Sequence, residues 1–251
     1  MITSISNERV KFARSLRGRR ARREAGAFVI EGVRLVEEAA RAGVEMLLVL
    51  YDPVALSGDP RAEALLAALP PRALLEVAPH VLRAAANTMT PQGIVTVVPL
   101  PPPPRSVTGR LLLVLDGLQD PGNLGTIMRS ADASGVRTVI TVAGTVDPFS
   151  PKVVRAAMGA HFRLALWADR TWSEINGLTA GYVRLVAATA DGRPYDEIDW
   201  LRPSALIVGS EAEGVSDEAE AMAHGRVTIP MAGPTESLNA AVAASIILFE
   251  A

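Results

Sequence analysis

Apolar residues in the second half of the chain gather in short runs with little alternation: Leu111–Leu115, Val136–Val142, Tyr182–Ala187 and Ala205–Val208. Strands that are apolar on both faces are covered on both, so these runs predict a parallel sheet between helices in an α/β fold. Helical patterning runs over Asn123–Ser134, with Asn123 as cap and Gly135 as stop. It returns over Ser150–Gly159, with Ser150 as cap and Pro151 at the first helical position, and again from about Ser237 to Phe249. In the first hundred residues, Val29–Leu35 leads into an amphipathic stretch, Leu35–Ala42. Met46–Tyr51 reads as a buried strand and Arg61–Ala68 as a helix. Leu74–Val77, His80–Ala86 and Ile94–Val98 then repeat a strand, helix, strand rhythm. This is the pattern of a small α/β domain.

The two patterned regions meet at Pro99–Pro104, which reads PLPPPP and is expected to join neither a helix nor a central strand. The division that follows is a first domain over 1–98, a linker over 99–108 and a second domain over 109–251.

Composition removes several function classes. No stretch of about 18 uninterrupted apolar residues offers a membrane span. The opening MITSISNERVKFARS lacks the apolar core of a secretory signal, so a cytoplasmic location is expected. Cysteine is absent, which excludes disulfides and thiolate metal sites. His80, His161 and His224 are far apart and form no ligand spacing, so no metal is expected. Neither GxxxxGK[ST] nor HExxH occurs, and Ser210 lacks the surroundings of a nucleophile elbow.

Net charge is −2, yet its distribution is uneven. Arg9, Lys11, Arg14, Arg17, Arg19, Arg20, Arg22 and Arg23 follow one another with no acid between them. Guanidinium groups make forked bonds to phosphate, so this stretch is a candidate RNA footprint. The plainer reading is a solvated helix face in an arginine-rich chain, which has only two lysines.

Three polar segments fall where strands end, the usual place for ligands in parallel α/β sheets. The first runs from Asp116 through a Gly/Pro loop to Asn123 and Arg129. The second, Val208–Val215, holds Gly209, Glu211 and Gly214. The third runs from Ile229 through a Pro/Gly loop to Ser237, Leu238, Asn239 and a helix rich in alanine. Singly, each reads as a turn, a cap or a packing face.

Together and in this order, NLGTIMR, GSEAEG and IPMAGPTESLNAAVAASI resemble the three motifs of the SpoU (TrmH) methyltransferases of the knotted SPOUT superfamily. The resemblance covers most of Leu111–Ala251. Upstream, Phe28–Leu35 and Thr88–Ile94 are similar to that family's amino-terminal substrate-binding domain, with its ribosomal-protein-like fold. The departures are small, with Ala212 where glycine is common and Ala240 where valine is common.

The resemblance implies a trefoil-knotted second domain that binds S-adenosylmethionine, acts as a homodimer with shared sites and methylates a ribose 2′-oxygen. Carried over by position, it implies that Thr189, Gly209, Ile229 and Leu238 hold the cofactor. Asn123, Arg129, Glu211, Ser237 and Asn239 would form the polar centre. Family proposals make Arg129 the proton acceptor. A guanidinium is a poor base, so a phosphate clamp that also steadies the developing alkoxide is the preferred role here. For Glu211 three roles stay open: holding Arg129, binding RNA, or accepting the proton. The separate first domain favours large-subunit ribosomal RNA over a tRNA ribose, and a catalytically silent RNA-binding or assembly protein is the rival from another class. The final helix carries Ile246 and Ile247 about 100° apart, so one of its faces, with Ile247, is expected at the dimer interface.

Overall fold

The computed structural model describes residues 1–251 except 189–190, 211 and 235–236. The chain forms two compact units. One comprises Met1–Pro102 with Phe149–Phe162; the other comprises Pro103–Pro148 with Arg163–Ala251.

The first unit opens with two helices, α1 (Glu8–Ser15) and α2 (Arg19–Ala25). They are followed by β1 (Ala27–Glu31), α3 (Val33–Arg41), β2 (Leu48–Tyr51), α4 (Pro53–Leu56), α5 (Pro60–Ala68), β3 (Leu74–Glu76), α6 (Pro79–Ala85) and β4 (Ile94–Pro99). The strands form a mixed sheet of order β1-β4-β2-β3. Alternation along β1 sends Phe28 and Ile30 into one apolar cluster and Ala27 and Val29 into another, so the sheet is covered on both faces. Pro99 is the last residue of β4, opposite Ala27, and departs from the expectation that the proline run avoids strands. Pairing of β4 with β2 ends at Val97, so the missing N–H of Pro99 takes no bond from that ladder. Leu100 then donates to the Gly26 carbonyl at 2.7 Å.

The second unit holds β5 (Leu111–Leu115), α7 (Pro121–Ala133) and β6 (Thr138–Val142). After the short helix α8 (Pro151–Ala157) come β7 (Ala165–Arg170), α9 (Trp172–Leu178), β8 (Val183–Ala188), β9 (Arg193–Pro194) and β10 (Ser204–Val208). The chain closes with α10 (Asp217–Met222), β11 (Gly225–Thr228) and α11 (Ala240–Glu250). Its seven described strands are ordered β7-β6-β5-β10-β8-β11-β9, and neighbours pair in parallel throughout. This is the doubly covered parallel sheet that the apolar runs predict. Segment 149–162, including α8, packs in the first unit because Phe149 and Phe162 lie 5.3 and 6.5 Å from the Phe28 ring.

Several boundaries move for identifiable reasons. Asp120, not Asn123, caps α7: its Oδ1 accepts from the Asn123 N–H at 2.8 Å, and Pro121 takes the first helical position. Asn239 caps α11 by accepting from the Ala241 and Val242 N–H groups at 2.9 and 3.4 Å, which leaves Ser237 in the preceding loop. Ser150 stands at the cap position of α8 without a side-chain capping bond. Among the described residues no helix is long and apolar enough to cross a membrane.

Candidate active site

Three loops meet above the carboxyl ends of β8, β10 and β11. Successive strands run outward from β5 through β6 to β7, and the chain then returns to build β8 on the far side of β10. Such a reversal leaves a crevice that a ligand can enter. A cavity of about 390 Å³ lies there, lined by Val186–Ala188 from β8, Val208–Ser210 after β10 and Ile229 and Met231 after β11. Ser237, Leu238 and the α11 residues Ala240, Ala243 and Ile247 close it. That volume lies in the about 300–1,000 Å³ range of small-ligand sites. The lining combines apolar side chains with polar ones, among them Asp191, Glu213 and an ion pair between Arg226 and Glu220 (3.0 Å).

The loop after β10 is folded on itself. Ser210 N–H donates to the Gly214 carbonyl at 2.7 Å and Gly214 N–H returns the bond at 3.1 Å. Gly209 is what permits this, because a Cβ there would stand 2.1 Å from the Gly214 carbonyl carbon. The far end of the loop is tied by Asp116, a buried carboxylate whose Oδ2 accepts from the Ser216 N–H at 2.7 Å. Asp116 begins the first polar segment, but nothing in the linear pattern pairs it with a position 100 residues away.

The helices carrying the first and third segments are joined side by side. Asn239 Nδ2 donates to Asn123 Oδ1 at 3.1 Å, so the residue that caps α11 is also bonded to α7. Further along, the Ser130 and Ser245 hydroxyls lie 2.7 Å apart, and Ser245 donates to the Ala241 carbonyl at 2.6 Å. The spacing of Asn123 and Ser130, about two helical turns, puts both on the α11 side. Arg129 is exposed and lies about 100° round the helix from Ser130.

Of the residues singled out on sequence, Gly209, Ile229, Leu238 and Ser237 line one cavity, and Asn123 meets Asn239. Arg129 is not among the lining residues. Thr189 and Glu211 lie outside the described residues. Sequence patterning passed over Asp116, Asp120 and the Ser130–Ser245 pair, whose roles depend on partners distant along the chain or on the path of a loop.

In the first unit the cationic stretch spreads over α1 and α2. Arg9, Lys11, Arg19, Arg20 and Arg23 are exposed, and Arg14 is half-buried. Arg22 does not belong with them. Its side chain is buried and donates to the Leu16 and Arg17 carbonyls at 2.8 and 2.7 Å, closing the turn between the helices. Arg17 is exposed but donates to the Ala84 and Ala86 carbonyls beside α6. Ile247 also departs from expectation: it is buried in its own chain and lines the cavity, whereas Val242 and Phe249 are the exposed apolar residues of α11. Among the described residues no group of three or more His, Asp or Glu could hold a metal ion.

The chain thus holds a parallel α/β unit with a cavity at the carboxyl ends of its strands and a smaller mixed-sheet unit, which defines a two-unit ligand-binding protein of enzyme type. Family comparison makes this specific. Residues 110–249 match the SpoU rRNA Methylase family, and residues 7–96 match the MRM3-like substrate binding domain. The chain belongs to the SpoU rRNA methylase family. It is 35% identical to the 23S rRNA (guanosine(2553)-2′-O)-methyltransferase RlmP of Bacillus subtilis, across 99% of this chain and 97% of that one. The SpoU methyltransferase AviRb from Streptomyces viridochromogenes, in complex with AdoMet, superposes with a TM-score of 0.86. It is 30% identical, over 97% of this chain and 96% of that chain. An rRNA methyltransferase from Sinorhizobium meliloti gives a TM-score of 0.85 at 33% identity, covering 99% and 95% of the two chains.

Proposed function

We propose that this chain transfers a methyl group from S-adenosylmethionine to a ribose 2′-oxygen of large-subunit ribosomal RNA, in the cytoplasm and as a homodimer. The observation that carries the reading is that the second and third polar segments line one crevice while the first is bonded to both, through Asp116 to Ser216 and Asn123 to Asn239, in a chain of the SpoU rRNA methylase family. The cavity suits S-adenosylmethionine in size and lining, with Ile229 and Leu238 offering apolar contact to an adenine and the folded Gly209 loop offering backbone groups. Bound there, S-adenosylmethionine supplies an activated methyl group on a sulfonium, so the chain has mainly to position the acceptor oxygen and help remove its proton.

In this reading Asn239 does two things. Its side chain fixes the start of α11 and, through Asn123, ties that start to α7. This sets the distance between the Ser237–Leu238 end of the cavity and Arg129. Arg129 grips the phosphate next to the target ribose with its forked donors and steadies negative charge developing on the 2′-oxygen. A guanidinium stays charged at any working pH, which suits a clamp better than a base. Glu211 stays a candidate by its position in the second motif, and Thr189 by the family resemblance alone.

The dimer is proposed on α11. Val242, Ile246 and Phe249 fall within about 60° on the helix, and Val242 and Phe249 are exposed. A second copy packed there would cover this stripe. A threaded, knotted path for the segment between β11 and α11 is part of the same proposal, because it would hold Ile229, Leu238 and the Gly209 loop round one ligand.

The test is methyl transfer from labelled S-adenosylmethionine to protein-free 23S rRNA and, in parallel, to tRNA, followed by mapping of ribose methylation. Label at a single 2′-O position of 23S rRNA is expected. Label in tRNA alone, or none in the presence of normal cofactor binding, would overturn the proposal.

A further inference from the structure

Away from the cavity, three corners of the first unit come together at one end of its sheet. They are the β1–α3 turn at Gly32, the β2–α4 turn at Asp52 and the loop from Asn87 to Gly93 that leads into β4. Gly32 N–H donates to the Ile94 carbonyl at 3.2 Å and Asp52 N–H donates to the Gly93 carbonyl at 2.9 Å, so the loop's end is bonded to both turns. Its beginning is bonded to Glu31. One carboxylate oxygen accepts from the Asn87 N–H (2.6 Å) and side chain (3.0 Å), and the other accepts from the Thr88 hydroxyl at 3.0 Å. A Cβ on Gly32 would meet Gln92 Oε1 at 2.5 Å, so the turn and the loop are also closely packed.

A loop tied this firmly at both ends presents its middle in a defined place. That middle is Met89, 95% exposed, and the neighbouring α4 turn adds Val54, 76% exposed. Two such apolar side chains at adjoining corners gain nothing for the fold. The acids of these corners are already engaged: Asp52 caps α4 through the Val54 and Ala55 N–H groups, and Glu31 holds the loop. Arg34, at the start of α3, is left exposed. The surface is therefore apolar at its tip and cationic at its margin, which is the chemistry of an unstacked base followed by its phosphate. A protein partner would meet the same apolar tip, but the exposed Arg34 and the substrate-binding family match over residues 7–96 favour RNA.

We infer that the Asn87–Gly93 loop, clasped by Glu31, reads an unpaired nucleotide of the RNA substrate through Met89 and Val54. This rests on the proposed RNA function, and it assigns target choice to a surface other than the cationic α1–α2 stretch. Met89 and Val54 are contact residues, and Glu31 is a positioning residue.

The two surfaces separate by salt. Filter binding of the full chain to protein-free 23S rRNA should show Met89→Ala weakening affinity about three- to tenfold, with an unchanged slope of log K against log salt, because every phosphate neutralised by the wild type is still neutralised. Arg9→Ala with Lys11→Ala should lower that slope. Glu31→Ala removes both acceptor oxygens and should reproduce the Met89→Ala loss. Thermal melting and cofactor calorimetry serve as controls on folding, and Val54→Ala gives an independent measure should Glu31→Ala unfold. Unchanged affinity in both Met89→Ala and Val54→Ala would overturn the inference, as would a loss accompanied by a smaller salt slope. A defect seen only with protein-containing ribosomal particles would also overturn it, in favour of a protein partner. Binding is read without turnover, so a chain that binds in this way yet never methylates would refute the proposed function and leave the inference standing.

Discussion

Replacing Gly209 with alanine puts a methyl group where the chain already has backbone. The added Cβ would stand 2.1 Å from the Gly214 carbonyl carbon and oxygen and 2.3 Å from the Val215 nitrogen. Carbon neighbours are comfortable at about 3.5 Å, so the loop would have to retreat by more than about 1 Å. No flexible side chain can absorb this. The loop is closed by the reciprocal Ser210–Gly214 bonds and anchored by Asp116 on Ser216. Overpacking of this kind costs about 1–3 kcal/mol, which for a chain of this size lowers Tm by about 2–12 °C. A comparable effect falls on the ligand, since a wall displaced by about 1 Å loses one or two backbone hydrogen bonds to it, about 1.4–2.8 kcal/mol. Calorimetry with S-adenosylmethionine should therefore show a Kd raised about ten- to a hundredfold in Gly209→Ala. Gly214→Ala is the control. Its Cβ meets open space but sits at φ +72°, so it carries strain of about 1–2 kcal/mol without the clash. A Gly209→Ala chain with the wild-type Kd would show that this loop is no wall of the cofactor site.

Arg129→Ala should abolish methyl transfer while leaving cofactor affinity in calorimetry near wild type. Arg129→Lys should fail too, because an ammonium does not reproduce a forked grip on phosphate. Neutralising Arg19, Arg20 and Arg23 should flatten the salt dependence of RNA binding by roughly 0.7–0.9 in log–log slope for each phosphate no longer neutralised. Arg22→Ala should instead lower Tm, since it strands the buried Leu16 carbonyl at about 1–3 kcal/mol and removes the bond to the partly buried Arg17 carbonyl. Phe249→Asp should shift the chain from dimer to monomer in sedimentation and reduce activity with it; an unaltered dimer would place the interface elsewhere.

The sequence by itself determined a good deal. Both-face apolar runs such as Leu111–Leu115 can persist only inside a covered parallel sheet, and the structure has that sheet. Strands at the margin were less legible. β7 and β11 escaped the pattern because an edge or half-covered strand buries few residues; β11 buries only Val227 fully. Caps were legible in type but not in place: Asp120 and Asn123 are both good cap residues, and only the path of the loop decides between them. Glycines and polar residues at strand ends marked out the second and third motif segments, which line one cavity. What linear order does not contain is distance. That Asn239 reaches Asn123, that Asp116 holds Ser216, and that Ser130 meets Ser245 follow from the β10 strand inserting between β5 and β8, a pairing set by the whole sheet. Burial likewise separated Arg22 from the other cations and Ile247 from Phe249. Residues of one type in one stretch look alike until the turn that closes over them determines which face water.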